Sequence, residues 1–331
     1  MSSDNGDARF PQKILEVHLA EPREATPEDS HSVALPQRAE KRRPILLALA
    51  LSVLTVLSTL AVGAQFALAY ASNQVTSFFD VNTYAAIVSE PGLLLLGIPF
   101  SFTLLGILLA HELGHYFACR YYGIEATYPY FIPAPTIIGT MGAFIRIRSP
   151  IVNRKALFDV GLAGPVVGFL FAVPALAIAV AYSKTVPSSA GAEVVFGNPL
   201  LTWLLAAILR PGVSPSDILL HPVGRAAWVG LFATALNLLP VGQLDGGHII
   251  YAWASDKHRK ISLAVVLALV PLGIFFWPGW LVWSALLLLL GFRHPTLMDR
   301  WEPIDRKRRV WAVIALVIFV LCFMPAPFDV R

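Results

Sequence analysis

Residues 91–115 read PGLLLLGIPFSFTLLGILLAHELGH. The first part of this stretch, from Pro91 to Ala110, carries no charge. It has about the 20 residues that a helix needs to cross the hydrocarbon core of a bilayer. Three ionisable side chains then follow within five positions: His111, Glu112 and His115. On a helix, positions four apart share a face, so His111 and His115 offer two imidazoles to one metal ion. Glu112, one step round from His111, is placed to act as general base on a water held by that ion. A lone H-E-x-x-H recurs by chance in soluble sequences. Here it closes an apolar run of membrane length, which puts the chemistry at a membrane boundary.

Composition agrees with that placement. Of 331 residues, 56% are hydrophobic and 14% charged, against roughly 25% charged in soluble domains. The sequence therefore reads as an integral membrane protein with several spans. Its net charge of +4 is modest, and no segment combines a basic stripe with stacking aromatics, so no nucleic-acid partner is expected. Cys119 and Cys322 lie far apart in apolar surroundings. They suggest neither a disulfide framework nor a metal site, and read as small hydrophobes.

Residues 1–43 are polar and rich in Pro, Glu, Ser and Ala, a composition expected of a disordered cytosolic tail. Their acidic residues argue against an organelle transit peptide. The remainder, 44–331, reads as one integral membrane domain with its core at about 90–255. The expected fold class is an all-α polytopic bundle of about seven transmembrane helices, with a three-helix catalytic core and a short membrane-associated β-strand or hairpin. The spans fall near 44–70, 92–118, 157–182, 224–253, 260–276, 279–293 and 309–325. The stretch 199–210 reads as a short interfacial helix or a re-entrant piece. Basic residues test the layout independently. With the N-terminus in the cytosol, Arg120, Arg146, Arg148, Lys257, Arg306 and their neighbours all fall on the cytosolic side, and little beyond Lys184, Arg210, Arg225 and Arg331 falls opposite. His111, His115 and Asp245 then share one depth, toward the cytosolic ends of their spans.

A catalytic zinc keeps three protein ligands and one open position, so a third donor is needed. Asp245 is the best candidate. An aspartate within a span costs about 2.5–3.5 kcal/mol or more on insertion scales and needs a partner or a task. It lies in Asn237-Leu-Leu-Pro-Val-Gly-Gln-Leu-Asp-Gly-Gly-His248, where Pro240, Gly242, Gly246 and Gly247 would break the helix. Backbone freed by such a break is tolerated next to protein or a hydrated cavity, which suits a metal pocket. The alternative is a helix cap or a surface salt bridge. His248 reads as an outer partner of the ligands. Asp159, at the start of the third span, reads as a structural acid stabilised by the helix dipole. His221, His258 and His294 lie beside prolines or basic residues in expected loops, and no chemistry is assigned to them.

Between the second and third spans, Gly139–Ser149 passes from glycine-rich to strictly alternating, with Phe144, Arg146 and Arg148 on one face and Ala143, Ile145 and Ile147 on the other. Period-two patterning predicts a strand or hairpin. A transmembrane helix must unwind before its amides reach a metal, and an edge strand could hold the unwound segment by backbone pairing. The other reading is an ordinary loop hairpin held at the surface by its arginines.

The sequence resembles the site-2 protease family of intramembrane zinc metallopeptidases, in a compact form without PDZ or CBS domains. The resemblance rests on His111-Glu112-Leu113-Gly114-His115, on Gly161-Leu-Ala-Gly-Pro165, and on Asn237-Leu-Leu-Pro240 followed by Leu244-Asp245-Gly246. It implies one zinc ion per chain held by His111, His115 and Asp245, with Glu112 as the catalytic base. It further suggests that Asn237 contacts the substrate backbone or helps hold the oxyanion, although a packing role between helices fits an asparagine equally well. The implied reaction is hydrolysis of peptide bonds in or near transmembrane segments, on a membrane protein already trimmed by another protease, as in regulated intramembrane proteolysis. The Gly139–Ala143 run and Asn153–Asp159 are similar to the branch that includes chloroplast members. The lack of a transit peptide places the expected location in a bacterial cytoplasmic membrane, with the active site toward the cytosol. The rival class is a metal or ion transporter lined by intramembrane His and Asp. Glu112 discriminates, because water activation needs a carboxylate fixed between two ligand histidines and ion transport does not.

Overall fold

Four apolar stretches fold as helices long enough to cross a membrane: Leu46–Ala71, Pro91–Tyr121, Arg154–Tyr182 and Asp245–Phe275. They identify a membrane protein. The structure, a computed structural model, describes residues 43–74, 81–186, 194–291, 297, 299 and 303–330. The expected tail, Arg43 apart, and His294 lie outside the described residues. In chain order the elements are α1 (Arg43–Ala71), α2 (Val81–Ser89), a 3-10 turn (Pro91–Gly97) that runs into α3 (Ile98–Tyr121), β1 (Tyr130–Pro133), β2 (Thr140–Phe144), α4 (Arg154–Tyr182), β3 (Lys184–Thr185), β4 (Val194–Phe196), α5 (Leu200–Leu209), β5 (Ile218–Leu219), α6 (Pro222–Asn237), α7 (Asp245–Phe275), α8 (Gly279–Leu290), α9 (Arg306–Cys322) and β6 (Phe328–Val330). The strands form three antiparallel pairs, β1 with β2, β3 with β5, and β4 with β6.

Helix α4 orders the core. Asn153 caps it, its side chain accepting from the Ala156 amide at 2.8 Å. Going up α4, Arg154 donates to Ser255 at 2.7 Å, Gly161 lies against Asp245 and His248, and Ala179 lies against Gly224. Residues 224 to 255 therefore descend along α4 in one direction. Over the expected fourth span the chain forms two helices in line, α6 and the start of α7, with Leu238–Leu244 as the break. Helix α3 packs antiparallel on the same helix, with His111 beside Gly168 and His115 beside Gly164.

Helix α7 is not straight. Ala254 sits at φ −140°, ψ 63°, outside helical geometry. A straight helix would carry Ser262 about 25 Å from Asp245. Instead, Ser262 Oγ accepts from the Gly242 amide at 3.4 Å, and the Tyr251 and His258 rings are 5.3 Å apart. The chain doubles back at Ala254, between the expected fourth and fifth spans. The second arm of α7 then pairs with α8, Gly273 lying against Leu281. Alone, α6, α8 and α9 have 16, 12 and 17 residues, shorter than the four long helices. The expected 199–210 piece is α5, whose Leu201, Thr202 and Ala206 are buried.

The β1–β2 hairpin goes deeper than a surface loop. Its turn residue Gly139, at φ +80°, rests on Ser58 of α1, whose hydroxyl donates to the Gly139 carbonyl at 2.6 Å. Ser58 is 15 residues into α1, about 22 Å along it. Non-helical backbone at such depth is tolerated where protein or a hydrated cavity surrounds it. At the far end of α4, two cations of the less basic side are used as helix caps. Lys184 donates to the Tyr70 carbonyl at 2.8 Å and Arg210 to the Ser183 carbonyl at 2.6 Å, where the negative end of a helix dipole favours positive charge.

Candidate metal centre

Helix α3 buries His111, Glu112 and His115 together. The His115 Nδ1–H donates to the Val160 carbonyl of α4 at 2.7 Å, which fixes the ring and turns the Nε2 lone pair inward. His111 Nε2 lies 3.1 Å from His115 Nε2. From the other strand of the core, Asp245 brings Oδ2 to 3.3 Å from His111 Nε2 and Oδ1 to 3.4 Å from His115 Nε2. Asp245 opens α7 immediately after the break, so its carboxylate is carried by a helix end and not by a free loop. The helix-cap alternative gains no support, because Asp245 is not the cap of α7 and its oxygens face the two imidazoles.

The spacing of these atoms fits a metal. Among the described residues, His111, His115 and Asp245 form a group whose ligand atoms all lie within 4.8 Å of one another. Bonds of about 2.0–2.1 Å in a tetrahedron place neighbouring donors about 3.3 Å apart. The three observed separations of 3.1, 3.3 and 3.4 Å sit on that edge length. Two neutral imidazoles and a carboxylate are also a donor set suited to zinc, and they leave a fourth position open. Asn237, the last residue of α6, places Nδ2 3.3 Å from His111 Nε2. The amide therefore borders the same space.

Glu112 is buried beside the histidines, and the backbone N–H of Ile145, just past β2, faces its carboxylate. In the hairpin the Thr127 amide donates to the Arg146 carbonyl at 3.0 Å and the Arg148 amide to the Glu125 carbonyl at 2.8 Å. Arg146 and Arg148 thus turn their backbone groups toward the first strand. Ile145, next to Arg146, turns its backbone N–H the other way, toward Glu112.

Some site residues escaped sequence reasoning. A Cβ on Gly164 would stand 2.1 Å from His115 Nε2, and one on Gly168 would stand 3.1 Å from His111 Cβ and Nδ1. These glycines are the seats on which the imidazoles lie. The spacing of Gly161, Gly164 and Gly168 at helical intervals was the available signal. Val160, whose carbonyl orients His115, left none, since any residue offers a carbonyl. His258 is a correction. It was assigned to a loop, yet it is buried within α7, 3.5 Å from Ser262 Oγ. The charges flanking it, Lys257 and Arg259, masked a helix that dips back into the core. Asp159 does more than offset a dipole: Arg308 of α9 donates to it from Nε at 2.8 Å and from Nη2 at 2.5 Å, and the Tyr122 hydroxyl donates to it at 2.5 Å. Burial and the Asp159 carboxylate push the Tyr122 hydroxyl up to about 12, so it remains a donor at neutral pH.

Comparison with known proteins decides the family. Residues 99–277, more than half of the chain, match peptidase family M50. The chain belongs to peptidase family M50. The resemblance to site-2 proteases is borne out, and the match encloses His111, Glu112, His115, Asn237 and Asp245 of this M50 chain. The chain is similar to a probable zinc metalloprotease EGY1, chloroplastic, of Arabidopsis thaliana, with 30% identity over 297 residues, 85% of this chain and 53% of that protein. The corresponding protein of Oryza sativa subsp. japonica is 28% identical over 85% of this chain and 50% of its own length. A probable zinc metalloprotease EGY2, chloroplastic, of Arabidopsis thaliana is 30% identical over 70% of this chain and 42% of its own. The M50 chain thus spans about half the length of these relatives.

Proposed function

We propose that this M50 chain is an intramembrane zinc metalloendopeptidase that hydrolyses peptide bonds in or near the transmembrane segments of membrane proteins. One observation carries the proposal: two imidazole nitrogens and a carboxylate converge at tetrahedral spacing beside a buried glutamate, within the helical core. Gly164, where His115 rests, is ten residues into α4, about 15 Å from its start. In this reading His111, His115 and Asp245 hold one zinc ion. When bound, zinc supplies a Lewis acid and a water whose pKa falls toward about 7. Glu112 takes the proton of the attacking water and returns it to the leaving amine, so the products are a carboxylate and an amine. Asn237 offers its amide N–H to the developing oxyanion. The open edge at Ile145 pairs with the unwound substrate segment and lays its carbonyl beside Glu112. An ion carrier would have no use for Glu112 in this position, and the transporter reading is not favoured.

The same proposal covers the membrane arrangement. Helices α3 and α4 with the split α6–α7 path form a three-span core within an integral domain at 44–331. Arms and shorter helices around it bring the count to about seven, with the N-terminus in the cytosol. Support for that orientation comes from the basic residues, which collect at the Asp245 end of the core. A bacterial cytoplasmic membrane is the proposed location, and a membrane protein trimmed by another protease is the proposed substrate. The test uses purified protein in proteoliposomes with a single-span substrate. Glu112→Gln should lower cleavage about 10³-fold while zinc content stays at parent level. Asp245→Asn should lower both. Retained cleavage by Glu112→Gln would sink the assignment, and unchanged zinc in Asp245→Asn would remove that residue from the ligand set.

A further inference from the structure

Helix α7 doubles back to a place the reaction does not require it to visit. Its second arm brings Ser262, fully buried, and His258, almost fully buried, against the break Leu238–Leu244. That break is the joint of the centre: Asn237 precedes it and Asp245 follows it. Proline and glycine interrupt the helix there, so the backbone groups of residues 240 and 242 lose their intrahelical partners. Ser262 takes up both. Its hydroxyl donates to the Pro240 carbonyl at 3.2 Å and accepts from the Gly242 amide at 3.4 Å. A hydroxyl has one proton to give and two lone pairs. The second lone pair faces His258 Nε2 at 3.5 Å, so the ring N–H completes the set. His258 is held in turn by the Tyr251 ring, 5.3 Å away on the first arm.

We infer that Ser262, held by His258, is a positioning residue for the third metal ligand. It fixes the fold of the break and so sets where Asp245 stands relative to His111 and His115. This inference rests on the proposed zinc site. Three features favour positioning over plain packing. The hydroxyl bonds backbone at residues 240 and 242, within five residues of Asp245. Gly242 adopts φ +55°, a conformation that the bond from Ser262 helps select. The carboxylate oxygens must also land within a few tenths of an ångström of a tetrahedral edge, which a break without side-chain anchorage would not hold. The outer arm of α7 then belongs to the centre, although it contributes no atom to the metal.

The test compares full-length parent, Ser262→Ala, His258→Leu and His258→Gln in detergent, with Asp245→Asn as reference. Zinc affinity is read by competition with a chromophoric chelator, and the cobalt-loaded proteins are read by their visible absorption. Ser262→Ala should bind zinc at least about tenfold more weakly than parent, with a cobalt spectrum altered toward that of Asp245→Asn. His258→Leu should weaken zinc binding in the same direction. His258→Gln, which keeps an N–H in reach of the hydroxyl, should restore affinity to within threefold of parent, a rescue that simple packing would not give. Ser262→Ala with parent affinity and a superimposable cobalt spectrum overturns the inference and leaves the zinc site standing. A parent that binds no zinc overturns both. Should Ser262→Ala not fold, the histidine pair decides: equal affinities for Leu and Gln at 258 overturn the inference, and a tenfold gap supports it.

Discussion

Two regions of the fold are built on opposite principles. Near the start of α4, the metal centre is assembled by close approach. Glycines admit imidazoles against bare backbone, and short polar contacts set every position. Beside α6 lies an aromatic core in which volume does the work. Phe196 contacts Trp228 and Phe328 with ring centroids at 5.1 and 5.3 Å, and Trp228 stacks on Phe232 at 5.6 Å. Among its polar groups, Trp228 Nε1 donates to the Gly197 carbonyl and Trp280 Nε1 to the Pro325 carbonyl, and the buried Arg225 guanidinium lies 4.1 Å over the Phe196 ring. Edge-to-face and stacked rings tolerate small shifts. A tetrahedral donor set does not. The difference teaches that stability and function are separable here, because one region can lose atoms and the other can barely gain one.

Adding a methyl group to the first region is the sharpest way to break this contrast. Gly164→Ala would drive a Cβ to 2.1 Å from His115 Nε2, and zinc affinity should fall about 100-fold or more, measured by chelator competition. Removing volume from the second region should act differently. Trp228→Ala should lower stability by about 3–5 kcal/mol, followed by chemical unfolding in detergent. The fraction that remains folded should bind zinc within threefold of parent. If Trp228→Ala lost zinc as completely as Gly164→Ala, the two regions would not be separable. A smaller step in that core, Trp228→Phe, removes the bond to Gly197 and keeps an aromatic ring, and should cost about 1 kcal/mol. The smallest effect is expected at Gly106, on α3 itself, where an added Cβ meets nothing within 4 Å. Gly106→Ala should leave zinc affinity unchanged and raise helix stability by at most about 1 kcal/mol. A loss of zinc there would show that α3 as a whole, and not its glycine contacts, governs the centre.

How far the sequence could be read follows the same division. Both ends of α1 and α4, and the last turn of α3, were legible to within three residues, since long uncharged runs have one stable form in a bilayer, whereas Pro91–Gly97 forms a 3-10 turn ahead of α3. His111, Glu112, His115 and Asp245 were legible because ionisable groups in such runs need a reason. The alternation within Gly139–Ser149 predicted a strand or hairpin, and β2 pairs there with β1. The depth of the hairpin was not foretold, because it depends on packing against α1 and on a bond from Ser58 to a glycine 81 residues away. Nor was the return of α7. Lys257, Arg259 and Lys260 read as a cytosolic loop, while His258 and Ser262 on the other face of the same turns enter the core. A periodic charge pattern hid an equally periodic buried one. Backbone partners such as Val160 leave no trace in sequence at all.

The central claim is that three side chains from two distant motifs hold one zinc ion. Zinc-edge X-ray absorption of the metal-loaded protein tests it most directly. The account predicts one zinc per chain with two imidazole nitrogens and one carboxylate oxygen at about 2.0–2.2 Å, and loss of the oxygen contribution from a side chain in Asp245→Asn. A first shell with fewer than two imidazoles, or one that Asp245→Asn leaves unchanged, would contradict it.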